Sequence, residues 1–246
     1  NTEDRPEPEE EYIRALRERQ IDGFLVATAH NGGTNALKLI ESNYPVVLVN
    51  RRIRGLRTGF VVADDTNGAK EAVRYLLELG HRRIAHIAGY SHADTAKRRL
   101  SAYRSVMSAQ DLGGVAEDLV VQSDYTFKGG QDAMARLLDL PDRPTAVFVA
   151  NDIMALGALT IAQTRRVRVP EDISIIGFND IALAQYSYPR LTTVRTPSYE
   201  MGALAAQMLL RMVKGEDASP SGITMRSELV IRDSTAPRRT PAEQTS

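Results

Sequence analysis

The chain contains no cysteine, no excess of either charge and no long apolar run, and each absence excludes a class of protein. Without cysteine there is no disulfide, no thiolate metal ligand and no cysteine nucleophile. The 31 basic residues equal the 31 acidic ones, which argues against a chain that grips nucleic acid through a basic surface. No apolar run approaches the roughly 18 residues of a membrane helix. The composition therefore indicates an ordinary globular protein.

Signals of catalysis are also scarce. The paired glycines in NGGTN (31–35) and YTFKGGQ (125–131) do not have the spacing of a phosphate-binding fingerprint. There is no G-x-S-x-G motif that would mark a hydrolase nucleophile, and no histidine-rich cluster suited to a metal. We therefore predict a protein that is not an enzyme and has no cofactor and no metal site.

What the chain does contain is an alternation of short apolar runs and amphipathic helical runs. At 246 residues it is long enough for two lobes with separate cores. The predicted strands are 23–27, 45–50, 59–63, 83–89, 118–122, 145–150 and 173–177. The predicted helices are 8–20, 34–42, 67–79, 95–109, 127–138, 152–164 and 197–214. Strands rich in Val, Ile and Leu that alternate with helices predict an α/β fold with parallel sheets buried on both faces.

Local signals suggest where some of these helices begin and end. Asn67 and Asp152 have the right chemistry to cap the helices that follow them, and Gly80 provides a stop. The last segment, STAPRRTPAEQTS (234–246), has the composition of a disordered tail.

Polar side chains cluster where the predicted strands end, and this is where open α/β sheets bind ligands. Asn, Asp and Arg together donate and accept hydrogen bonds in the way that a ring of hydroxyl groups requires, and a Tyr ring can cover the apolar face of a sugar. The candidate ligand-binding residues are Asn50, Arg99, Asp124, Tyr125, Asn151, Asp152, Asn179 and Asp180.

Three of these candidates have an equally simple structural explanation. Asp152 is favoured as a helix cap, and Asp180 is equally well explained as a turn residue. Arg99 follows Lys97 and Arg98, and such a basic run is typical of a solvated helix face.

Five segments, in this order, resemble the effector-binding region of the LacI/GalR family of bacterial transcription regulators. They are NGAKEAVRYLLELGHRRIAHIAG (67–89), AVFVANDIMALGAL (146–159), VPEDISIIGFNDIALA (169–184), PRLTTVRTPSYEMG (189–202) and ELVIRDSTAP (228–237). They follow one another in the family's order from residue 67 to residue 237, so the resemblance is specific although each motif alone is weak.

The resemblance implies a periplasmic-binding-protein-like fold of type I: two Rossmann-like lobes with parallel sheets, a hinge of three crossing segments, and a ligand in the cleft. The first lobe would contain 1–63 and 193–231, and the second 64–192 and 232–246. LTTVRTP and VIRDS would be two of the crossing segments.

The resemblance also assigns roles to two candidates. The family's R-x-x-G-aromatic pattern places its ligand-binding arginine at Arg99, although Ala102 stands where the glycine is usual. The acidic ligand contact after G-aromatic corresponds to Asn179, which is uncharged and can donate as well as accept. We therefore expect a small polar effector such as a sugar or nucleoside, whose identity does not transfer from any relative.

The function implied is that of a cytoplasmic repressor. Its effector closes the two lobes, and a homodimer transmits the change to operator DNA through an N-terminal helix-turn-helix. The family's helix-turn-helix, its hinge and the first strand and helix of its first lobe are missing, so we expect this chain to be a piece of a longer protein. The alternative is a periplasmic sugar-binding protein of a transporter, which has the same fold. A helix-turn-helix or a signal peptide upstream would distinguish the two.

Overall fold

The computed structural model describes residues 6–27, 34–53, 55, 58–110, 116–216 and 222–238. Within these ranges the α-helices are α1 (Pro6–Glu18), α2 (Thr34–Glu41), α3 (Asp65–Glu78), α4 (Asp94–Ser108), α5 (Phe127–Leu138), α6 (Asp152–Thr164) and α7 (Ser198–Val213). The strands are β1 (Phe24–Val26), β2 (Val46–Val49), β3 (Gly59–Ala63), β4 (Ile84–Ala88), β5 (Val120–Gln122), β6 (Ala146–Val149), β7 (Ser174–Ile176), β8 (Thr193–Arg195), β9 (Gly222–Met225) and β10 (Glu228–Val230). None of the described helices is long and apolar enough to cross a membrane.

The first of two compact units contains residues 1–64, 92–95 and 197–226. Its sheet has the order β1-β2-β3-β9, and every pair is parallel. Successive residues of β2 face opposite sides of this sheet. Val46 and Leu48 pack with Leu39 of α2, whereas Val47 packs with Met201 of α7. This near-continuous apolar strand is therefore buried on both faces, as the sequence pattern predicts.

The second unit contains residues 65–91, 96–196 and 227–246. Its parallel sheet has the order β5-β4-β6-β7, and β8 and β10 form a separate antiparallel pair. Ile87 and Val149 face the side covered by α5 and α6, and Ile84 and Phe148 face the side covered by α3 and α4. The predicted α/β architecture with two parallel sheets is confirmed.

The chain passes between the units at positions that differ in part from the expected ones. Residues 193–196 and 227–231 belong to the second unit, because β8 and β10 pair with each other and Val194 and Leu229 pack in its core. LTTVRTP thus ends at a crossing, while VIRDS lies wholly in the second unit. The short segment 92–95 groups with the first unit.

Two of the three predicted helix signals are wrong in detail. Helix α3 begins at Asp65, so Asn67 lies in its first turn and does not precede it. Helix α6 is capped by Asn151, whose side chain accepts a hydrogen bond from the Met154 backbone N–H, and not by Asp152. The glycine stop is confirmed, since Gly80 lies two residues after the end of α3 and has a φ of 87°.

The prediction of a disordered tail is wrong for its first residues. Ser234 donates to the Ile175 carbonyl and accepts from the Thr192 amide, and the Arg238 amide donates to Leu79. His81 lies between Thr145, Ser174 and the Ala236 carbonyl. Residues 234–238 therefore pack on the second unit, because backbone pairing offsets their polar composition. The rest of the predicted tail, 239–246, lies outside the described residues.

Helices α5 and α6 approach closely because each has a glycine at the contact. A Cβ on Gly157 would overlap the carbonyl oxygen of Phe127, and one on Gly130 would overlap the backbone of Met154. Neither clash involves a flexible side-chain end, so neither can be relieved cheaply.

Gly157→Ala should lower the free energy of unfolding by about 1–3 kcal/mol, since a buried methyl group would have to push two helix backbones apart. Gly202→Ala is the matched control, because Gly202 is also helical but a Cβ there would meet nothing within 4 Å. The control should be neutral or stabilising by up to about 1 kcal/mol. Chemical denaturation measures both, and equal effects in the two variants would contradict the packing argument.

Candidate functional site

The candidate site lies at the carboxyl edge of the sheet in the second unit. After β4 the chain moves outward to β5 and then crosses to β6 on the other side of β4. The loops after β4 and β6 therefore diverge, which is the arrangement that opens a crevice in α/β sheets. Five of the eight candidate residues lie on the loops that follow β5, β6 and β7, and Arg99 lies in α4.

Arg99 is buried and holds several of these elements together. Its Nε and Nη2 donate to Asp65 Oδ1 at 2.8 and 2.6 Å, its Nη1 donates to the Ala150 carbonyl, and its Nη2 also contacts Asn179 Oδ1 at 3.3 Å. The guanidinium lies 3.7 Å from the centre of the Phe178 ring. Four of its five N–H donors thus have acceptors within the unit, and the second N–H on Nη1 has none in the part of the chain that the structure describes. The alternative of a solvated helix face is wrong.

Asn179 is half-buried and has an unusual backbone, with a φ of 111°. Its amide N–H donates to the Val194 carbonyl at 2.7 Å, and its Oδ1 accepts from Arg99. Its side-chain Nδ2 has no acceptor among the described residues. Arg99 and Asn179 are thus in contact, and the group left over at this point is a hydrogen-bond donor.

Asn151 and Tyr125 lie on the two adjoining loops. Asn151 Oδ1 caps α6, and its Nδ2 donates to the Tyr125 carbonyl at 3.3 Å. The Tyr125 ring packs directly on Gly89, where a Cβ would overlap it, and meets the Tyr90 ring edge to face at 5.6 Å. A pair of aromatic rings thus lies beside the loop that carries Asn151.

Asp152 is fully buried and joins two segments of the unit. Its Oδ1 accepts from the Thr193 hydroxyl at 2.6 Å, and its Oδ2 accepts from the Ile181 amide at 2.9 Å. Burial raises the pKa of this carboxyl to about 6, against the stabilising bonds from Thr193 and Ile181. Gly177 lies against this carboxyl group, and a Cβ there would collide with it.

Asp180 is also occupied by partners inside the unit. Its Oδ2 accepts from Arg195 Nε at 2.7 Å and its Oδ1 from Arg232 Nη2 at 2.6 Å. Its side chain is 8% exposed. Both of its carboxylate oxygens therefore already accept hydrogen bonds within the unit.

The last two candidates, Asp124 and Asn50, make separate local contacts. Asp124 Oδ1 accepts from the amide and hydroxyl of Thr126, which is the N-cap of α5, so the carboxylate turns toward the start of that helix. Asn50 belongs to the first unit, where it follows β2 with a φ of 66° and donates its amide to the Val61 carbonyl.

Two residues with a part in the site were missed by the sequence reasoning. Asp65 is fully buried and neutralises Arg99, and its second oxygen lies 2.8 Å from Arg98. Phe178 packs the face of its ring against the same guanidinium. Asp65 lies two residues after the end of β3. The sequence could have indicated it, because the other candidate carboxylates were chosen for lying just after a strand.

This arrangement is suited to binding, because it offers fixed N–H donors and a pair of aromatic rings. No cluster of His, Asp or Glu suited to a metal ion occurs in the part of the chain that the structure describes.

Comparison with known proteins gives consistent matches. A profile described as a periplasmic binding protein-like domain matches residues 73–235. The transcriptional repressor CytR of Escherichia coli K12 is 38% identical over 228 residues, which are 92% of this chain and 66% of CytR. A LacI family regulator from Mycobacterium smegmatis has a TM-score of 0.83 at 33% identity, over 96% of this chain and 86% of its own.

The regulator CelR, solved as a complex with cellobiose, has a TM-score of 0.84 at 33% identity, over 92% of this chain and 69% of its own. The chain thus spans just under two thirds of the length of CytR and somewhat more of the solved regulators.

The proton on Asp152 makes a testable contribution to stability. A carboxyl with a pKa of about 6 when folded and 3.8 when unfolded stabilises the fold below pH 3.8 and loses this contribution as the pH rises through 6. Relative to the parent, Asp152→Asn should therefore gain roughly 3 kcal/mol in free energy of unfolding between pH 3.5 and pH 7, at 1.36 kcal/mol per pKa unit. Urea denaturation at a series of pH values measures this difference.

The buried His86 provides a control of opposite sign. Burial lowers its pKa to about 4, so its contribution is complete above pH 6.5 and is lost as the pH falls to 4. His86→Leu should become less stable relative to the parent as the pH rises through this window. A pH-independent difference for Asp152→Asn would show that the carboxyl has an ordinary pKa.

Proposed function

We propose that this chain is the effector-binding region of a repressor. The chain belongs to the LacI family of transcriptional regulators and contains its periplasmic binding protein-like domain. The whole protein would be cytoplasmic and non-catalytic, and would bind operator DNA through a helix-turn-helix N-terminal to this region. Its effector would be a small polar molecule of the sugar class. The DNA-binding role is supported by the similarity to CytR, whose name describes a helix-turn-helix repressor.

The observation that carries the effector site is the contact between Arg99 and Asn179 at the carboxyl edge of the sheet. The Arg99 bonds hold the Asn179 carboxamide in one orientation, so its free Nδ2 is fixed before any ligand arrives. Such preorganised donors lose little side-chain entropy on binding. The proposed effector contacts are Arg99 and Asn179, with Asn151 and Tyr125 on the adjoining loops and with Asp124 and Asn50 as further candidates.

A sugar fits these groups better than an apolar or strongly charged molecule. The free groups are N–H donors, which match hydroxyl and ring oxygens, and the Tyr90 and Tyr125 rings offer an apolar surface for a sugar face. Asp65 pairs with both Arg98 and Arg99, so Arg99 has a counter-ion inside the unit and does not depend on an anionic ligand for one. The cellobiose bound to CelR supports the same class. The similarity to named regulators favours this function over the transporter alternative.

Asn179→Ala should weaken effector binding at least tenfold, because it removes the fixed donor and a bonding partner of Arg99. A thermal-shift screen of cellobiose, ribose, other neutral sugars and nucleosides would identify the effector, and calorimetric titration of the full-length protein would give the affinities. Gln163→Ala is the matched control, since it removes an exposed carboxamide of the same unit at the end of α6 remote from the site. It should leave the affinity unchanged.

Asn179→Asp separates the two functions of this side chain. The carboxylate still accepts from Arg99 but cannot donate, so binding should weaken if the Nδ2 donor matters. If Asn179→Ala and Asn179→Asp both bind as tightly as the parent, the effector does not contact this edge of the sheet.

We also propose that the protein is a homodimer that uses an apolar patch of the second unit. The patch consists of Phe127, Leu183, Tyr186 and Tyr188, which are large and exposed, with Leu156 between them. An exposed cluster of this kind often marks an interface. No charged side chain lines it among the described residues, so two identical copies can face each other across a two-fold axis without repulsion. Paired operator half-sites require such symmetry.

Tyr186→Glu should convert the dimer into a monomer at tens of micromolar, because two identical charges would face each other at the two-fold contact. Tyr199→Glu is the matched control, since Tyr199 is equally exposed but lies in α7 of the first unit. Sedimentation equilibrium distinguishes the states. A parent that is monomeric, or a Tyr186→Glu variant that remains dimeric, would rule out this patch.

A further inference from the structure

The loop after β7, residues 177–181, has an unfavourable backbone conformation that its contacts with the rest of the unit must stabilise. Asn179 and Asp180 both have positive φ values, 111° and 56°, although neither is glycine. Consecutive residues in this region cost free energy and persist only where the surrounding structure determines them. The contacts that hold this loop are therefore informative about its function.

Asp180 forms two ion pairs that join this loop to other segments of the unit. Arg195, at the end of β8, reaches Asp180 Oδ2, and Arg232, just after β10, reaches Oδ1. Arg232 is fixed on its other side, because its Nη1 donates to the Leu191 carbonyl at 2.8 Å. Strands β8 and β10 pair with each other, so one carboxylate holds both of them against the loop.

These two strands adjoin the points where the chain leaves and re-enters the second unit. The chain leaves after Thr196, one residue beyond β8, and returns at Ser227, one residue before β10. The loop is also joined to β8 directly, by the Asn179 amide bonded to Val194. A displacement of Asn179 would thus reach both crossings through contacts inside one unit.

We propose that Asp180 is a positioning residue: it clamps the loop that carries Asn179 to the paired strands β8 and β10, so that the loop and two of the chain crossings move as one piece. The proposal rests on the function above only in taking Asn179 as an effector contact. Asp180 itself does not bind the effector. Arg232 is the stronger half of the clamp, because its side chain is 13% exposed whereas that of Arg195 is 52% exposed.

Native-state hydrogen exchange on the full-length protein without effector tests the clamp. Asp180→Asn keeps the shape of the side chain but removes its charge. We expect at least tenfold faster exchange at the amides of Asn179 and Ile181 and in β8 and β10, with no change in β4 and β6. Arg232→Gln should give the same pattern, and the double variant should add little to either single one. Asp180→Glu, which retains the charge, should recover most of the protection.

Asp233→Asn is the matched control, since it breaks the exposed pair with Arg190 in the neighbouring segment. It should leave exchange in the loop unchanged. Acceleration spread evenly over the second unit would mean that Asp180 only adds to global stability, and unchanged or fully additive exchange would mean that there is no clamp. Each of these results overturns the proposal. Because no effector is present, a failed effector screen would count against the proposed function and not against the clamp.

Discussion

The buried guanidinium of Arg99 is the interaction on which the second unit's candidate site depends. It joins α4, where it originates, to the start of α3 through Asp65, to the end of β6 through Ala150 and to the loop after β7 through Asn179. A buried charge is costly unless it is paired and hydrogen-bonded, and here a carboxylate, a carbonyl, a carboxamide and an aromatic face supply the partners. The same bonds that satisfy the charge also fix the polar edge of the sheet.

The two consecutive Asn-Asp pairs of the site are Asn151–Asp152 and Asn179–Asp180, and in each pair the two residues have different roles because removing a charge from water costs more than removing a neutral amide. Asp152 is fully buried and the Asp180 side chain is nearly so, and their oxygens accept from hydroxyl, amide and guanidinium donors of the same unit. A buried carboxylate costs more than a carboxamide unless its oxygens are satisfied, so the carboxylates hold the loops together. Asn179 retains a free donor because a neutral amide can stay half-buried with one group unpaired.

The pattern of strands and helices was predictable because it depends on local chemistry. Near-continuous apolar runs such as that of β2 can be buried only between two layers of helices, and each was found within two residues of its expected bounds. Helix ends were less predictable. Asn151 and Asp152 are both good caps in isolation, and the Thr193 hydroxyl and the Ile181 amide, which bind Asp152, come from segments far along the chain.

The sequence by itself determined the α/β class, the parallel sheets, the family resemblance and the edge of the sheet where polar groups meet, since strand ends and motif order are properties of the chain. Only the tertiary structure decided which of these polar groups remain available. It paired Arg99 with Asp65, committed Asp180 to Arg195 and Arg232, and ordered residues 234–238 by backbone bonds to β7 and its neighbours. Such partners are 34 to 59 residues apart in sequence for the pairs Arg99–Asp65, Asp180–Arg232 and Ile175–Ser234. A local sequence pattern does not show which distant donor will pair with a given carboxylate in the folded chain.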